Sequence, residues 1–130
     1  MYKYYNANPK NEIIGDCVVR AISTALDIDY YDVLNMLYNI SNYFNCDMLV
    51  KDCYKELFDR FKLTQYTPNV EKRVKDVIED FKDKILIIRI DGHLTASKYG
   101  ILKDTWDCSD EIVDTFWVLN ENRWFLSVLF

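Results

Sequence analysis

The chain has 130 residues, half of them apolar or aromatic, enough to fill one core without metal or disulfide staples, so a single domain spanning 1–130 is expected. Its 21 acidic against 16 basic residues give a net charge of −5, a field that repels phosphate backbones and excludes nucleic acid as the main partner. The start MYKYYNANPK carries no apolar run, and the densest apolar segment, KILIIRI, is far shorter than the roughly 20 residues that cross a bilayer, so a cytoplasmic protein without a signal peptide or membrane partner is expected.

In chain order, Val18, Ile22, Ala25 and Leu26 follow the spacing of one helix face, which predicts a first helix from Cys17 to about Leu26 with Gly15 or Asp16 as its cap. Asp29 is placed to cap a second helix with Tyr30, Val33, Leu34 and Leu37 inward. Val50, Cys53, Tyr54, Leu57, Phe58 and Phe61 form a third apolar stripe, with Asp47 as the expected cap. Thr67-Pro68-Asn69 reads as the start of a fourth helix that buries Val70, Val74, Val77, Ile78 and Phe81, because proline is tolerated in a first turn.

The pattern changes at Lys84. ILII is a continuous β-rich run suited to a central strand covered on both faces, and Asp91-Gly92 reads as the turn after it. HLTASK, Tyr99-Gly100 and ILKDTW then form a hairpin, and TFWVLN and WFLSVLF supply two more β-prone segments. RWFLSVLF fits an edge interface as well as a core strand, which leaves the oligomeric state open. Helices followed by strands make an α+β chain with a mostly antiparallel sheet.

Cys17, Cys46, Cys53 and Cys108 are irregularly spaced, so reduced thiols are expected. The closest cysteines are separated by six residues and His93 is the sole histidine, a poor ligand pattern, so no metal and no cofactor are expected. Two of the three glycines flank chemistry: Gly15 precedes Cys17 by two, and Gly92 precedes His93. Glycine serves where a backbone needs positive φ or a close approach, and Gly15, Gly92 and Gly100 are all read in that way.

A cysteine in a first helical turn sits at the positive end of the helix, which stabilises thiolate. The bland alternatives are a small core side chain for Cys17 and a hydrogen-bonded strand residue for His93. Hairpin parity bears on the choice. With Tyr99-Gly100 as a two-residue loop, Lys98 pairs with Ile101, Thr95 faces Asp104, and His93 faces Trp106. Asp104 then shares a face with His93, with Trp106 beside them to exclude water; a bulge would bring Asp107 there instead. Arg20, one turn beyond Cys17, either steers an acidic substrate or pairs with a helix carboxylate. EKRVKDVIEDFKDK reads as a solvated helix face.

These residues carry a resemblance. NEIIGDC resembles the nucleophile segment of papain-like cysteine peptidases, where an amide six residues before the cysteine helps form the oxyanion hole; Asn11 holds that position. GHLTAS followed by Asp104-Thr105-Trp106 is similar to that family's histidine strand and Asn-Ser-Trp segment. Gly15-Asp16-Cys17 with Arg20-Ala21-Ile22 is similar to small papain-like proteins of bacterial and phage origin. Asn11 stands where the longer Gln is usual, Asp104 replaces Asn, and the Cys-Gly-Ser-Cys-Trp signature is absent. The resemblance implies a papain-like fold and a Cys17–His93–Asp104 triad, with Asn11 at the oxyanion and Gly15 and Trp106 in support. It further implies cleavage of a peptide, isopeptide or related amide bond in a peptide or protein substrate. The rival is a catalytically inactive module of phage or toxin association that keeps the fold and masks a host protein.

Overall fold

The computed structural model describes residues 1–119. Its elements are β1 (Tyr2–Tyr4), α1 (Cys17–Leu26), α2 (Tyr30–Phe44), α3 (Lys51–Arg60), β2 (Thr64–Tyr66), α4 (Val74–Asp80), β3 (Ile85–Ile90), β4 (His93–Lys98), β5 (Ile101–Asp104) and β6 (Val113–Val118). Four helices and a six-stranded mixed sheet make an α+β fold, the strands lying in the order β1-β5-β4-β3-β6-β2. Only β1 on β5 is parallel among these pairings. No helix in the described residues is long and apolar enough to cross a membrane.

β3 occupies the middle of the sheet because its side chains are apolar on both faces. Ile85 and Ile87 enter one core with Leu94, Ala96 and Trp117, under α1, α2 and α3. Leu86, Ile88 and Ile90 enter a second core with Leu102, Phe116 and Val118, covered by Val74, Val77 and Ile78 of α4. Period-2 alternation turns one continuous apolar run into the shared wall of two cores. Each such side chain, fully buried, is worth about 1.5–3 kcal/mol.

Four expectations need correction. The fourth helix begins at Val74, not near Pro68, and Val70 is 61% exposed. Thr64–Tyr66 instead pairs with β6, and the first N–H groups of α4 are bonded by the 109–111 segment, Val74 N to Glu111 O and Lys75 N to Ser109 O. Tertiary acceptors, not the proline, set the start of that helix. α3 is capped by Val50 and not by Asp47, whose side chain accepts from Leu49 N in the preceding turn. Cys46 and Cys53 are not reduced but disulfide-bonded, with Cα atoms 5.6 Å apart; Cys17 and Cys108 are free. Finally, β1 and β2 precede the main strands, so helices and strands are not strictly segregated along the chain. TFWVLN is represented by β6, whereas WFLSVLF lies outside the described residues.

Candidate active site

Cys17 is the first residue of α1 and is half-buried. Asp16 occupies the cap position, and its carbonyl accepts from Arg20 N, but its side chain makes no cap hydrogen bond. Its carboxylate instead accepts from Asn8 Nδ2 at 3.0 Å, Tyr30 OH at 2.7 Å and Arg20 Nε at 2.7 Å. The amide donors of the first turn therefore keep no side-chain acceptor, and they stand beside the thiol.

His93 opens β4, directly after a two-residue turn in which Gly92 has φ +67°. The neighbouring hairpin pairs Lys98 with Ile101, Ser97 with Leu102 and Ala96 with Lys103, the register that parity predicts. Gly100 has φ +84° in its turn. The register brings Asp104 to the imidazole, with His93 Nε2 2.6 Å from Asp104 Oδ2. Asp107 is exposed and accepts from Ser109 N. The Trp106 ring, itself 42% exposed, lies 5.2 Å from the His93 ring and is tilted by 50°, so it covers one side of the imidazole.

With Nε2 engaged by Asp104, Nδ1 is the ring nitrogen left to face the Cys17 thiol, the two side chains lining one cleft. Burial acts against both charged forms. It pushes the Cys17 thiol up, yet the hydrogen bonds from His93 and the Leu94 N–H, with the nearby positive charge of His93 and Arg20, hold it below the usual thiol range. Burial pushes His93 down, yet its bonds to Asp104 and Cys17 and their charges raise it to about 9. Asp104, against the cost of burial, is lowered by His93. The opposed shifts, thiol down and imidazole up, bring the two groups toward a thiolate–imidazolium pair.

Two further side chains complete the group. Arg20, 7% exposed, donates from Nε to Asp16 and from Nη1 to Asp104 Oδ1 at 3.2 Å and to Thr105 Oγ1 at 3.3 Å. It pairs with the helix carboxylate as spacing allows and also ties α1 to the strand of Asp104. The buried Cys108 approaches Asp104 Oδ2 at 3.9 Å. Burial, then the negative charge of Asp104, pushes its thiol up to about 12, so it faces the carboxylate as a neutral weak donor. The sequence carries a signal for Arg20 in its i, i+4 relation to Asp16, and none for the position of Cys108.

His93, Asp104 and Cys108 present ligand atoms within 4.8 Å of one another, a donor set of the type that holds zinc. Two ligands of one tetrahedral ion with bonds near 2.0 Å stand about 3.3 Å apart. The 2.6 Å contact between His93 and Asp104 is a direct hydrogen bond, and Arg20 already brings a positive charge to Asp104. The arrangement fits a proton relay better than a metal centre.

The oxyanion half is open. Asn11 is exposed, with φ 56° and its N–H bonded to Asn8 O. Gly15 corrects the glycine reading: its φ is not positive and a Cβ there would meet nothing within 4 Å. Asn8, which the sequence reading passed over, is buried and anchors this loop to Asp16. Next to Cys17 and His93 is a cleft of about 230 Å³ walled by α3 and the end of β3.

Compared with family models, curated proteins and solved structures, the chain matches none. The case for chemistry therefore rests on the geometry of Cys17, His93 and Asp104.

Proposed function

We propose that the protein is a papain-like thiol hydrolase acting on a peptide, isopeptide or related amide bond. The observation that carries this reading is the 2.6 Å contact of His93 Nε2 with Asp104 Oδ2 in the cleft that Cys17 also lines, together with the opposed thiol and imidazole shifts. The Cys17 thiolate adds to the carbonyl carbon, and His93 gives its proton to the leaving amine as the C–N bond breaks, leaving a thioester. Neutral His93 next takes a proton from water as its oxygen adds to the thioester carbon. The C–S bond breaks, the acid departs, and the ion pair is restored. An amine in place of water would give acyl transfer.

Asp104 holds the tautomer and the charge of His93, while Trp106 shields their hydrogen bond. Donors for the oxyanion come from the uncapped first turn of α1, including the Cys17 N–H, with the exposed Asn11 amide as the second candidate. The reaction needs no cofactor. We place the enzyme in a cytoplasmic setting, where Cys17 stays reduced, although the Cys46–Cys53 bond is of a kind more common in oxidising compartments.

Iodoacetamide should label Cys17 rapidly near pH 6, and His93→Ala should slow that labelling about 100-fold. Equal and slow labelling of Cys17 in both proteins would sink the proposal. The open position of Asn11 favours a second reading, a binding module that masks a host protein. A biological effect that persists in Cys17→Ala would select it.

A further inference from the structure

The cleft beside Cys17 has a chemistry that the relay does not explain. Leu49, Val50 and Ile90 give it apolar walls, and its charged side chains other than the Cys17–His93 pair are both cations, Lys51 and Arg89. No carboxylate lines it, although the chain as a whole has a net charge of −5. Arg89 is paired with Asp114, and Tyr54 lines the cleft with it. Lys51 lies 6.0 Å from the Trp117 ring centroid, feels Asp114 and is half-buried. Two helices also start there, α1 at Cys17 and α3 at Lys51, and neither has a side-chain cap, whereas Asp29 caps α2. The one carboxylate in the first turn of α3, Asp52, is exposed and does not line the cleft. Uncapped amide ends add to the field of the two cations.

We propose that this cleft receives an acidic side chain of the substrate, an aspartyl or glutamyl carboxylate within one or two residues of the scissile carbonyl. Its methylenes lie on Leu49 and Val50 and its charge faces Lys51 and Arg89. The assignment rests on the hydrolase reading and adds the substrate class to it. A volume of about 230 Å³ suits one side chain with part of its backbone and not a folded partner.

The test uses two alkylating probes that differ in charge, iodoacetate and iodoacetamide, on the full chain with labelling at Cys17 quantified by mass. Their rate ratio cancels changes in the thiol itself. In Lys51→Glu the ratio of iodoacetate to iodoacetamide should fall about tenfold at low salt, and 1 M salt should shrink the difference. Arg89→Gln should lower it less, because Asp114 already offsets that charge. Matched peptide amides with Glu or Gln beside the cleaved bond provide the second arm. The wild type should prefer Glu about tenfold in kcat/KM, and Lys51→Glu should abolish the preference. A ratio that neither substitution moves, or equal use of the two peptides, overturns the cleft assignment while leaving the hydrolase reading intact. Failure of Cys17 to outpace Cys108 with iodoacetamide removes the hydrolase reading and this assignment with it.

Discussion

Cys17 and Cys108 are the two free thiols of the described region, and they stand at opposite ends of the same His93–Asp104 pair. Burial pushes both thiols up, but Cys17 ends below the usual range whereas Cys108 rises to about 12. The neighbour makes the difference. Cys17 meets a protonated ring, a backbone N–H and a helix start; Cys108 meets a carboxylate in a closed apolar pocket. Within one cluster, the sign of the adjacent charge decides which sulfur is a nucleophile and which is packing.

The contrast breaks most directly under alkylation. At pH 7 iodoacetamide should modify Cys17 at least about 1,000-fold faster than Cys108, because a thiol at about 12 is almost wholly protonated. Peptide mapping over time reads the ratio, and comparable rates would mean that the two environments are not different. A smaller effect should follow from the acid. Hydrolysis needs thiolate together with imidazolium, so the rate should fall on the acid side as Cys17 takes a proton and on the alkaline side as pH rises through about 9, where His93 loses one. Asp104→Asn removes the charge that raises His93, so the alkaline limb should move down by about one pH unit or more. A profile whose alkaline limb stays in place would detach Asp104 from the ring. Cys108→Ser should change least, with kcat/KM within about threefold of wild type, since a hydroxyl also donates to Asp104. A larger loss would show Cys108 to be more than packing.

Much of this pair of environments was legible before the fold was known, for a geometric reason. Hairpin parity depends only on a two-residue loop and side-chain alternation, and it placed Asp104 on the face of His93 across eleven positions of sequence. The stripe of α1 and the apolar run of β3 were equally readable, because each element's burial is written in its own period. Arg20 marks the limit. Its bond to Asp16 is local, but its bond to Asp104 spans 84 positions and exists only because α1 lies against β4. Three-residue strands such as β1 and β2 are too short and too exposed to show alternation, and they form where a partner edge is supplied. Cys53 fits a helix stripe so well that its bond to Cys46, across a turn with no periodic signature, could not be read. Gly15 departs from the reading that scarce glycines mark backbone constraint, because its φ is not positive and a side chain there would meet open space, whereas Gly92 and Gly100 do take positive φ.

The Cys46–Cys53 bond bears on how the protein should be handled. The turn it closes contains Leu49 and Val50, which form one wall of the cleft facing Cys17. A thiol reagent added to keep Cys17 from oxidising in storage attacks that bond by exchange as well. Preparations with and without dithiothreitol therefore present the same nucleophile behind differently tethered walls, and kinetic constants from the two are comparable only after the oxidation state of Cys46 and Cys53 has been counted.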